Sequence, residues 1–98
     1  MHVRAEQRAD VETHSIRKEL KNRLFLMGFR ISYFPQGEGK EDVVQCKYSQ
    51  DLTVFIYPSF YNLVWRDPKR GKCTTGYAID YHDTLIEDLL KILIKMSV

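Results

Sequence analysis

The sequence predicts an α+β domain. One antiparallel sheet of about five strands carries an N-terminal and a C-terminal helix on one face, in the order α-β-β-β-β-β-α. Three observations lead there. Apolar residues recur at helical spacing near both ends of the chain. Between them the period falls to two, in segments rich in β-branched and aromatic residues. The turns joining those segments are far shorter than the dozen or so residues that a parallel crossover needs, so neighbouring strands run antiparallel.

Residues 1–9 are polar and without periodicity, and are expected to be flexible; residues 10–98 form the domain. The first helix is predicted from Val11 to Met27, with Ile16, Leu20, Leu24 and Met27 on one face. Asp10 or Thr13 suits its start, and Gly28 suits the left-handed residue that ends a helix. Arg17, Lys18 and Lys21 form a basic stripe beside the apolar one.

Strands are predicted over 30–34, 43–48, 52–57, 61–66 and 72–81. Pro35 to Asp42 makes the first loop, Pro58 stops the third strand, and Asp67–Gly71 is a hairpin turn. The second helix begins near Asp83, where Thr84 and Glu87 stand at capping-box spacing, and runs to Met96. Its leucines, isoleucines and Met96 spread over roughly 200° of the helix circumference, where a one-sided surface helix needs only about 100°. This helix therefore needs a second cover besides the sheet: the first helix, a second copy of the chain, or another protein.

At 98 residues the chain has room for one core. Its 44% hydrophobic and 29% charged content exclude a disordered chain. Net charge is only +2, too small to make the whole chain a nucleic-acid binder, but the cations are clustered. Residues 66–72 carry Arg66, Lys69, Arg70 and Lys72 against Asp67 alone, and the segment from Asp80 leans acidic. Two cysteines, Cys46 and Cys73, are too few for a disulfide scaffold. No leader-like segment and no membrane-length apolar run is visible, so a reducing, cytoplasmic setting without membrane contact is expected.

No complete catalytic, metal or nucleotide motif stands in the sequence, so no metal and no cofactor are expected. A small binding protein that docks on a macromolecular partner, of the adaptor or inhibitor type that includes phage-encoded proteins, is the leading expectation. Trp65, Arg66, Tyr57, Tyr77, Ile92 and Ile94 are its candidate contact residues, because buried aromatic, Arg and aliphatic anchors dominate interfaces. Its partner would be another protein, or a second copy joined through the C-terminal helix. Nucleic-acid binding is the alternative, with Arg17, Lys18, Lys21, Lys69, Arg70 and Lys72 on phosphates and Tyr or Trp stacked on bases.

One string is more specific. Val43-Val44-Gln45-Cys46-Lys47-Tyr48, after a helix and Met27-Gly28-Phe29, resembles the Q-x-K strand of the Mrr-type branch of the PD-(D/E)xK nucleases. The resemblance covers roughly residues 12–48. It implies that Gln45 and Lys47 help hold a divalent metal and orient the attacking water. Such a centre also requires acidic oxygen ligands. The family carries its metal-binding Asp in a Gly-rich motif on the preceding strand. This chain has Gly37-Glu38-Gly39, then Glu41 and Asp42 directly before Val43, which leaves Asp42 as the candidate. After Lys47 the family continues into a helix, whereas another strand is predicted here. Asp80, His82 and Asp83 also cluster, at a strand-to-helix junction where such residues ordinarily serve as caps.

Overall fold

The computed structural model describes the backbone of residues 2–97 and the side chains of residues 13–97. Helix α1 (His2–Leu26) leads into strands β1 (Arg30–Phe34), β2 (Val43–Ser49), β3 (Leu52–Ile56), β4 (Phe60–Asp67) and β5 (Gly71–Ala78). A 3₁₀ turn (Ile79–Tyr81) then feeds helix α2 (His82–Met96). The strands form one antiparallel sheet in sequence order, β1-β2-β3-β4-β5. This is the predicted α+β layout.

The element ends differ from expectation for local reasons. Helix α1 extends back to His2 rather than starting at Val11, through a stretch free of Pro and Gly. It stops at Leu26, one turn-residue early, because Gly28 takes φ 101° and lets Phe29 N–H return to Leu24 O at 3.0 Å. The fifth strand stops at Ala78, since residues 79–81 wind into the 3₁₀ turn. That turn runs straight into α2, so the Thr84–Glu87 capping box does not form. Tyr81 holds the N-cap position, with no side-chain cap bond.

Strand register sorts the side chains cleanly. Ile31, Cys46, Val54, Leu63 and Thr75 lie side by side across the five strands, and Tyr33, Val44, Ile56, Tyr61 and Tyr77 form the next row. These rows face the helices: Cys46, Val54, Leu63 and Tyr61 are fully buried, together with Leu20 and Leu24 of α1 and Leu85 and Leu89 of α2. Both helices thus cover one face, and the core is the layer between. The register shifts after Lys47, and the half-exposed Tyr48 ring packs 5.1 Å from Phe29, a residue of the core on the Val44–Cys46 side.

Of the three covers open to the surplus apolar arc of α2, helix α1 does not reach its far end. The two helices meet through Arg23 and Asp83, 3.0 Å apart, at the start of α2. Farther along, Leu90 and Ile94 remain exposed, Ile94 at 66%. Among the described residues, no helix is long and apolar enough to cross a membrane.

Candidate functional site

With both helices on one side, the other sheet face stands open. Register puts Arg30, Lys47, Thr53, Val64 and Thr74 in one row across it, and Ser32, Gln45, Phe55, Asn62 and Gly76 in the next. Beyond these, Phe34 lies opposite Val43, Phe60 opposite Ala78, and Arg66 opposite Lys72. Four cations stand at these positions, and Asp51, opposite Arg66 just ahead of β3, is the carboxylate that meets them.

At one end of this face three aromatic rings stack. Tyr57 lies 4.5 Å from Phe60 with the rings 13° from parallel, and 6.2 Å from Phe55 at 30°. The Tyr57-Pro58-Ser59-Phe60 turn holds them together: Tyr57 N–H donates to Phe60 O at 2.9 Å, and Pro58 fixes φ at the corner. Phe60 is 43% exposed, so the stack ends on a ring open to solvent. At the opposite end stand Arg66 and Lys72, and Arg66 Nε approaches Asp51 Oδ1 at 3.4 Å from the sheet margin.

Two concavities flank the sheet on its helix side. One, of about 400 Å³, lies between α1 and the β1–β2 loop and is lined by His14, Arg17, Lys18, Lys21, Lys40 and Asp42 among others. Arg17 is committed to structure there. Its guanidinium is buried and donates to Tyr57 O at 3.1 Å and to Glu41 at 2.7 Å. Lys21 donates to the Tyr33 hydroxyl at 3.0 Å and sits 5.4 Å from the centre of its ring. The other concavity, of about 680 Å³, runs between the β4–β5 turn and the end of α2; it is lined by Trp65, Lys69, Arg70, Lys91, Ile92 and Lys95, among others.

The nominated residues therefore separate into groups. Trp65, Arg66, Lys69, Arg70 and Ile92 come together in the second groove, which also receives Lys91 and Lys95, two cations that sequence reasoning missed. Their spacing of four on one helix was the available signal. Arg17, Lys18 and Lys21 line the other groove, so the helix stripe and the 66–72 cluster do not merge into one patch. Lys72 belongs to the open sheet face, as does Tyr57. Tyr77 is buried, and its hydroxyl donates to Asp88 at 2.6 Å, so it belongs to the core. Ile94 is exposed on α2, away from the sheet.

Gln45 and Lys47 lie on the open face beside Ser32, Phe55, Arg30 and Thr53, none of which is acidic. Among the described residues, no three His, Cys, Asp or Glu side chains gather closely enough to hold a metal. The acidic shell that the nuclease resemblance requires is thus not assembled around these two residues. Asp83, from the Asp80–His82–Asp83 cluster, is held below the usual carboxylate range chiefly by the hydrogen bond from Arg23. Cys46 and Cys73 sit on β2 and β5, three strand spacings (about 14 Å) apart, and are free thiols. The chain matches no family model, no curated protein and no solved structure.

Proposed function

We propose that this protein binds single-stranded nucleic acid on its open sheet face. The observation that carries the reading is the composition of that face: a stacked Phe55–Tyr57–Phe60 cluster and four cations, Arg30, Lys47, Arg66 and Lys72, against one carboxylate, Asp51, which pairs with Arg66. Flat aromatic rings accept any base by stacking, and a cationic track beside them neutralises phosphates. A sheet without a cover on this side leaves room for an extended strand.

Fluorescence anisotropy with labelled dT and rU oligomers of about twelve nucleotides tests it. Binding should weaken steeply with salt, because phosphate contacts release counterions. Phe60→Ala removes one stacking ring and should weaken binding by about 1–3 kcal/mol, some 5- to 150-fold. No binding at low salt, or binding indifferent to both salt and Phe60, overturns the reading.

A second reading, docking on another protein, is favoured by a separate observation. Leu90 and Ile94 of α2 and Phe25 and Leu26 of α1 are exposed, Leu26 at 83%. Light scattering tests whether these residues join two copies: a dimer that Ile94→Ser returns to monomer supports it, and a strict monomer removes self-association.

A further inference from the structure

The groove under the β4–β5 turn has a composition that the fold does not require. Its wall includes Trp65 and Ile92, and its rim carries Lys69, Lys91 and Lys95. Its two acids are already engaged. Asp67 accepts the backbone N–H groups of Lys69 and Arg70 at 2.8 and 3.0 Å, and its side chain is only 15% exposed. Asp51 faces Arg66. Among the described residues, Lys69, Lys91 and Lys95 form no ion pair. Lys91 and Lys95 are four apart on one helix, where like charges repel and cost helix stability. Only Lys95, in the last turn, gains from the helix dipole. Arg66 belongs to both surfaces, since it pairs with Lys72 across the open face and also lines the groove. The cationic surface therefore continues around the hairpin.

We infer that this groove is a second nucleotide pocket, in which one base of a single strand rests against Trp65 and its phosphates lie between Lys69, Lys91 and Lys95. The inference rests on the open-face reading and extends its path around the β4–β5 turn. A strand long enough to leave the open face enters the groove, and a short one stays on the aromatic stack.

Trp65 is the only tryptophan in the chain, so its fluorescence reports occupancy of the groove without any mutation. Labelled dT and rU oligomers of about four and about twelve nucleotides are titrated into the full chain, following anisotropy and Trp65 emission together. The expected result is that both lengths raise the anisotropy and only the longer one quenches Trp65. Lys91→Gln combined with Lys95→Gln should lower the slope of log K against log salt by about 1.4 for the long oligomer, and leave the short one unchanged. Circular dichroism of the double variant checks that α2 is intact. Binding by anisotropy with an unmoved Trp65 and an unchanged salt slope overturns the pocket and leaves the open-face reading standing. No anisotropy change with either length overturns both.

Discussion

Arg17 and Glu41 form a 2.7 Å ion pair that ties the middle of α1 to the loop between β1 and β2. The two ends are unequal. The Arg17 side chain is 8% exposed and Glu41 is 55% exposed. Arg17 also donates through Nε to Tyr57 O at 3.1 Å, so one guanidinium joins α1 and both loops at that end of the sheet.

That inequality predicts unequal costs. Glu41→Gln removes a half-exposed charge, and should cost no more than about 1 kcal/mol. Arg17→Ala strips donors from Tyr57 O and Asp42 O and empties a packed site, and should cost about 2–3 kcal/mol. Arg17→Lys keeps the charge without the planar fork, and should fall nearer to Arg17→Ala. Urea unfolding of the three variants checks the order; equal losses for Glu41→Gln and Arg17→Ala would show that the ion pair, rather than the buried fork, holds the loops. Since Tyr57 is the central ring of the aromatic stack, Arg17→Ala should also weaken oligomer binding.

The thiols should differ in reactivity. Burial pushes the Cys46 thiol up to about 12, against the opposing charge of Lys21, while Cys73 lies half-buried on β5. The thiolate is the reacting species, and it is scarce at Cys46 near neutral pH. A thiol reagent at about pH 8 should modify Cys73 in the folded protein, and reach Cys46 only after denaturant is added. Two equivalents consumed at one rate under native conditions would mean that the core opens readily.

Alkaline pH should destabilise the protein through its buried tyrosines. Burial raises the Tyr61 hydroxyl to about 12, the nearby Arg17 charge opposing and Asp80 adding to the rise. Burial also raises Tyr77, together with its bond to Asp88. In the unfolded chain both titrate near 10. Above that pH the unfolded state binds fewer protons at these two groups, so their contribution is full below about pH 10 and is lost as pH rises toward 12; the raised Cys46 thiol adds a loss of the same sign that starts nearer pH 9. Tyr61→Phe deletes the bond to Ile79 O, costing about 0.5–1.5 kcal/mol at neutral pH. It should also flatten the alkaline loss. Stability measured at intervals from neutral pH upward, in both proteins, reads the effect directly; an unchanged alkaline slope assigns the loss to other groups.

The fold was legible because each level of the sequence agreed with the next. Val44, Cys46, Val54 and Leu63 recur at a period of two within short β-branched and aromatic runs, and the hairpin turns leave only an antiparallel order. Helix boundaries were less legible, since the 3₁₀ turn at Ile79–Tyr81 has the alternation of a strand and no local breaker. The candidate site was legible only in parts. Arg66, Lys69 and Trp65 are neighbours in sequence, but Lys91 and Lys95 join them only because α2 returns to the hairpin end of the sheet. Tyr57 and Tyr77 looked equivalent as aromatic strand residues. Strand register alone sends one to the open face and the other into the core.

Lys47 distinguishes the nuclease resemblance from the binding reading. As a metal-centre residue it would be needed for cutting, and its removal would abolish metal-dependent cleavage while sparing affinity. As part of the row with Arg30 and Thr53 it would instead supply one phosphate contact. Lys47→Ala should then lower the salt slope of single-strand binding by about 0.7. The wild-type protein incubated with DNA and magnesium or manganese should leave the DNA uncut, as the acidic ligands such a centre needs are not gathered beside Gln45 and Lys47. Metal-dependent cutting by the wild type that Lys47→Ala removes would restore the nuclease assignment. A reduced salt slope without any cutting places Lys47 on the binding face.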